Sequence, residues 1–246
     1  MPQDHPFPRR FFPAAVIGLG LIWGNAAFCS DAGQQTTLSD IPFADADPAI
    51  GAEINEVCAG CHGADGQGGK AGEYPRLAGL PATFIARQLL LFRDRSRKNL
   101  AMVEYVDDRQ MPDEDIAHIS VFLSEVDLPS RLPPVDDEGS GINAYQRLLD
   151  AERVVQIPPA PGDATRGAAL YRRECASCHG RDGQGDHAEG VPMLAGQYTA
   201  YLWRQVPKYL NKQRIHDPSA PDDELLQAFS RKELEDIFAH VSRLDD

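Results

Sequence analysis

The sequence predicts an all-α chain of two tandem domains, and three observations predict it. The first is a self-match at one offset: Cys58 and Cys175, Cys61 and Cys178, His62 and His179, Pro75 and Pro192, and Gln88 and Gln205 all differ by 117, without a gap. The second is that apolar residues recur at helical spacing in both copies. The third is that no stretch alternates apolar and polar residues as a half-buried strand would. So long an offset marks a duplicated domain, since solenoid units repeat every 20–50 residues or so.

Taken in order, residues 1–30 read as a secretory signal: Arg9 and Arg10 precede an apolar run from Phe11 to Trp23, and small residues follow at Ala26 and Ala27. That run is shorter than the roughly 20 apolar residues of a comfortable membrane span and contains Pro13. Cleavage is therefore expected, leaving no stable membrane span in the mature chain and placing it in an oxidising compartment, the periplasm. Cys29 belongs to this region and is read as incidental. The first domain is expected over residues 45–127. Within it, Thr83 to Lys98 sets Phe84, Gln88, Leu91 and Phe92 on one helical side, and Pro112-Asp113 opens a helix through Ile116, Ile119, Val121 and Phe122. Residues 128–162 carry six prolines and match neither repeat, so they form the linker. Tyr145, Leu148 and Leu149 give its middle, Ile142 to Val155, the spacing of a short helix. The second domain is expected over residues 163–246. Tyr201 to Gln213 repeats the earlier helix with an interruption at Pro207, and Ser230 with Glu233 has capping-box spacing ahead of the last helix.

The 246 residues include 37 Asp and Glu against 24 Lys and Arg, a formal charge of −13, and 42% are apolar. This is globular composition, and the acidic excess excludes a general nucleic-acid binder, which needs clustered cations. Partners should be small or carry a basic docking surface.

The repeated segments are Cys58-Ala-Gly-Cys61-His62 and Cys175-Ala-Ser-Cys178-His179. C-x-x-C-H is the pattern of c-type haem attachment. Two thiols on one helical turn add to the haem vinyl groups, and the adjacent His is thereby fixed beneath the iron as its proximal ligand. Two covalently bound haem c groups are expected, and a covalent apolar macrocycle gives helices of a small domain something to pack on. A four-thiolate zinc site would bring its Cys pairs about 12–20 residues apart, and these lie over a hundred apart. A thioredoxin-like pair would sit in a βαβ setting, which is absent.

These residues carry a family resemblance. CAGCHGADGQG with PRLAG and RQLLLF, and CASCHGRDGQG with PMLAGQ and RQ, resemble the tandem dihaem class I cytochromes c of the cytochrome c4 type over residues 45–126 and 161–244. The resemblance implies two class I cytochrome c domains in tandem, each built around its haem, exported, and carrying single electrons between respiratory complexes. It also implies that the carbonyls of Pro75 and Pro192 accept the proximal His Nδ1 hydrogen bonds, which orient the rings.

The sixth ligand decides what each haem does: Met opposite His raises the potential, whereas an open position invites exogenous ligands. By the family pattern, Met102, three residues after Asn99, completes the first site, and Met111 beside the helix start reads as core. The second half offers no equivalent. Met193 follows Pro192 on the proximal side, His216 stands opposite Asn99, and Ser219 stands opposite Met102. His216 is the candidate distal ligand, His187 a weaker one, and an empty position the remaining choice. His118 and His240 read as boundary residues of the last helices. The leading function is electron transfer between exported or membrane-bound redox partners, as the cytochrome subunit of a dehydrogenase or as donor to a terminal oxidase or reductase. The competing function is a haem enzyme acting on peroxide, sulfur or nitrogen species at an open second haem; a sensor would need an output domain, which is missing.

Overall fold

The computed structural model describes residues 36–129, 132, 143–155, 157–216 and 225–244. Among them are α1 (Pro48–His62), α2 (Ala82–Arg93), α3 (Leu100–Val103), α4 (Asp113–Glu125), α5 (Ala144–Arg153), α6 (Ala164–Glu174), α7 (Ala176–His179), α8 (Thr199–Leu210) and α9 (Arg231–Val241). No strand occurs among the described residues; the two isolated bridges, Gly69 with Tyr74 and Asp186 with Val191, are repeat-equivalent. The expected signal over residues 1–30 and Ser219 lie outside the described residues.

Each half crosses its first helix against its last, α1 on α4 and α6 on α9. A glycine makes each crossing possible: a Cβ on Gly51 would run into the His118 carbonyl, and one on Gly167 into the Asp236 carbonyl. Side chains then lock the crossings in parallel ways. The Asp47 N–H donates to His118 Nδ1 at 2.8 Å, and the Asp163 N–H donates to Asp236 Oδ1 at 2.8 Å. Both Asp residues are also N-caps, accepting from Ala49 N and from Thr165 N and Arg166 N respectively. Gly51 precedes its first motif Cys by seven residues and Gly167 precedes its own by eight. The extra residue is absorbed at Cys175, where the helix breaks between α6 and α7, while α1 continues unbroken through its motif.

The helices expected over Thr83–Lys98 and Tyr201–Gln213 stop sooner, at Arg93 and Leu210. Arg95 and the equivalent Lys212 take φ of +67° and +51°, left-handed conformations that a continuing helix does not contain. Pro207 is not the interruption; α8 runs through it. The last helix has the expected cap, with Ser230 N donating to Glu233 Oε2 at 2.8 Å and Glu233 N to Ser230 Oγ at 3.3 Å. In the linker, Asn143 caps α5. Beyond it Val155 is buried with Ala78 and Leu128, and its N–H donates to the Pro129 carbonyl at 3.0 Å.

The halves meet through α2, α8 and the loops after the motifs. Gln197 accepts from the Arg76 N–H at 3.1 Å and donates to the Arg76 carbonyl at 3.0 Å, and Arg204 donates to the carbonyls of Gly72 and Glu73. Met193 is buried among Leu80, Ile85, Ile119 and Leu123 of the first half.

Candidate haem sites

The loop after each motif has the same hydrogen bonds. Gly68 N donates to the His62 carbonyl and Leu77 N to the Gly66 carbonyl, both at 2.7 Å; Gly185 and His179, and Leu194 and Gly183, repeat this at 2.8 and 2.7 Å. Positive φ at Gly66, Gly68, Gly183 and Gly185 lets the chain fold back so closely. The loop thereby delivers a proline carbonyl to each imidazole, with Pro75 O 3.1 Å from His62 Nδ1 and Pro192 O 2.9 Å from His179 Nδ1. A carbonyl only accepts, so Nδ1 carries the proton and Nε2 is left with its lone pair for a metal. Burial lowers the pKa of both imidazoles, partly countered by the proline bond, which favours the neutral ligating form. Cys58 and Cys175 are part-buried thiols whose pKa burial raises; Cys61 and Cys178 are exposed, and none of the four is in a disulfide. Among the described residues no three His, Cys, Asp or Glu side chains gather as a metal site.

At the candidate distal ligands the halves differ. In the first, Arg93 pins the loop that follows α2, donating to the Val106 carbonyl at 2.9 Å, to the Met111 carbonyl and to Asp113 at 2.6 Å. Within that loop Met102 packs part-buried on the core of Ile41, Leu90, Phe92, Val106 and Met111, whereas Met111 itself is 6% exposed inside the core. In the second half the His216 ring centroid lies 6.0 Å from that of His179, with planes 54° apart, and His216 meets Tyr209 edge-on at 5.6 Å. Two imidazoles bonded to one metal at about 2 Å hold their ring centres roughly 6 Å apart, so this spacing has room for one iron between them. His187 is exposed in the loop after the motif, and His240 packs edge-on against Tyr171.

Between the halves lies a cationic cluster that reading the sequence missed. Arg97 and Arg214 are 8% and 7% exposed, and both donate to the Tyr201 hydroxyl, at 3.0 and 3.1 Å. Each also bonds the glutamine of its own half, Arg97 to Gln88 at 2.8 Å and Arg214 to Gln205 at 2.9 Å, and lies over its own aromatic ring, Phe92 or Tyr209. All three pairs of positions differ by 117. Burial and the facing Arg214 charge bring Arg97 down to about 10. Burial raises the Tyr201 phenol, but the two guanidiniums outweigh it and bring it to about 8. Among the described residues neither Arg meets a carboxylate, and Arg97 Nε is buried without a partner. Two like charges so placed need anionic partners.

The family model described as Cytochrome c matches residues 49–127 and, a second time, residues 164–245. The chain belongs to the cytochrome c family. It is a tandem, all-α dihaem cytochrome of the electron-transfer class, with two covalently bound haem c groups. This cytochrome is 31% identical over 192 residues to the thiosulfate dehydrogenase electron acceptor of Stutzerimonas stutzeri (strain A1501), covering 76% of this chain and 80% of that one. It is also 31% identical over 161 residues to the protein of the same name from Thiomonas intermedia (strain K12), spanning 65% of this chain and 66% of the relative. Reduced recombinant cytochrome c4 from Pseudomonas stutzeri has the same fold, with a TM-score of 0.61 and 23% identity over 81% of this cytochrome and 99% of that chain. Among the described residues no helix of the cytochrome is long and apolar enough to cross a membrane.

Proposed function

We propose that this cytochrome is an exported, periplasmic one-electron relay. In this reading Cys58, Cys61, His62 and Met102 hold the first haem and Cys175, Cys178, His179 and His216 the second. Pro75 and Pro192 fix the proximal tautomers, and Arg97 and Arg214 receive haem carboxylates at the interface. The domains are residues 45–127 and 163–246, joined by 128–162. The observation that carries the reading is the 6.0 Å separation of the His179 and His216 rings, because a second site closed by two imidazoles suits electron transfer rather than chemistry on an exogenous ligand.

Each bound haem supplies a reversible one-electron couple. The chain's part is to keep both proximal imidazoles deprotonated at Nε2, to exclude water from the buried faces, and to hold the halves in register through Gln197, Arg204 and Tyr201. Two relatives named as electron acceptors of a thiosulfate dehydrogenase support a donor of the dehydrogenase kind, with this chain as the cytochrome subunit.

Absorption and EPR spectra of the purified ferric and ferrous protein test the reading. Both irons are expected six-coordinate and low-spin, with the weak red band of Met ligation accounting for one haem. His216→Ala should convert only the second haem to a high-spin form. Unchanged spectra in that variant remove His216 from the site, and a wild-type ferrous haem that binds carbon monoxide moves the protein to the haem-enzyme reading.

A further inference from the structure

The two halves agree in the loops after their motifs and disagree in charge. α1 carries Glu53 and Glu56 and no Lys or Arg, whereas α6 carries Arg166, Arg172 and Arg173 against Glu174. At positions matched through Gly51 and Gly167, Glu56 becomes Arg172 and Val57 becomes Arg173, and beyond the motif Ala64 becomes Arg181. Arg172, Arg173 and Arg181 are exposed, as are Ser177 and Cys178 on the motif turn between them. Of α6's arginines, Arg166 is bound to the buried Asp236, and Arg173 meets Glu174 at 2.5 Å; the Arg172 Nε rests on a carbonyl of its own helix. The imbalance extends to the whole halves. Residues 36–129 hold 16 acidic and 8 basic residues, and residues 163–246 hold 14 and 11.

We propose that the face formed by the last turn of α6, α7 and Arg181 docks an acidic redox protein, the electron donor, while the matching face of the first half turns that protein away. A protein that is acidic overall repels an acidic partner at long range, so an arginine face at one end both attracts the partner and orients the encounter. Like charges at Glu53 and Glu56 penalise the wrong end. The attachment turn, with Cys178 at the surface, lies inside the basic face, so a docked donor meets the second haem by a short path. That this partner is the donor rests on the ligand reading above: a haem with two imidazoles has the lower potential, and one with Met the higher. One electron leaves the donor in each encounter, enters through the second half, and leaves from the first half to an acceptor.

Stopped-flow reduction by two small reagents of opposite charge, the anionic ferrous EDTA complex and the cationic hexaammineruthenium(II), separates the parts of this proposal. The red Met band follows the first haem alone. The anion is expected to reduce the second haem faster than the first at low salt, and that preference should shrink at high salt. The triple variant Arg172→Glu, Arg173→Glu, Arg181→Glu should slow the anion at the second haem about tenfold and speed the cation. Rates that stay unchanged, or that move the same way for both reagents, overturn the docking face. Charge-dependent entry at the second haem with no onward reduction of the first keeps the docking face and rejects the donor assignment, which His216→Ala spectra then examine independently.

Discussion

Met102 and Met111 belong to one loop but to different environments. Met102 lies part-buried at the core margin, and Met111 is enclosed by it. Met102→Leu is therefore expected to abolish the red band and lower the first haem's potential while the domain stays folded. Met111→Ala should keep the band and cost about 2–5 kcal/mol in urea unfolding, the range for emptying a buried Met site. The family pattern assigns these two different roles, the ligand three residues after Asn99 and a core residue beside the helix start at Pro112-Asp113. It did not single out Arg97. Within Arg93-Asp-Arg95-Ser-Arg97-Lys98 every charged residue reads as solvated surface. A left-handed turn at Arg95 precedes the buried Arg97, and turn handedness at a non-glycine residue leaves no local composition signal. A usable signal was present at longer range, since Arg97 and Arg214 share the 117 offset with Gln88 and Gln205.

At the scale of the helices, the duplication preserved a crossing and exchanged the side chain that locks it. His118 accepts the N-cap amide in the first half, and Asp236, fully buried, accepts it in the second. The pair was hidden because its offset is 118 rather than 117: the second half has one more residue between Arg214 and Asp236 than the first has between Arg97 and His118. The chemical difference has a pH consequence. Burial pushes the Asp236 carboxyl up, but the Asp163 amide, Lys232 and Arg166 outweigh it and hold the carboxyl at about 2. A folded-state pKa below the unfolded value of about 3.9 gives stability that is fully present above that value and is lost as pH falls through about 2. Circular dichroism on acidification should therefore show the second half loosening between about pH 4 and 2, and Asp236→Asn should flatten that dependence while lowering stability at neutral pH.

For the whole molecule, the repeat and the two motifs were enough to read architecture and cofactor, because covalent attachment and proximal ligation depend on contiguous residues. The interface was not readable in this way. It depends on which faces two similar domains present to each other, and its contacts join positions more than a hundred residues apart, such as Arg76 with Gln197 and Arg97 with Tyr201. Its most consequential feature is the meeting of two buried guanidiniums at one phenol. If each guanidinium takes its anion from the haem of its own half, as proposed above, a chain that has received one haem retains unbalanced charge at the seam. Replacing Cys175 and Cys178 with Ala should yield a one-haem protein whose halves separate, with a larger radius of gyration in small-angle X-ray scattering and faster proteolysis between residues 128 and 162. Closure of the seam would then act as a maturation checkpoint, leaving half-finished chains exposed to degradation and fully loaded ones protected.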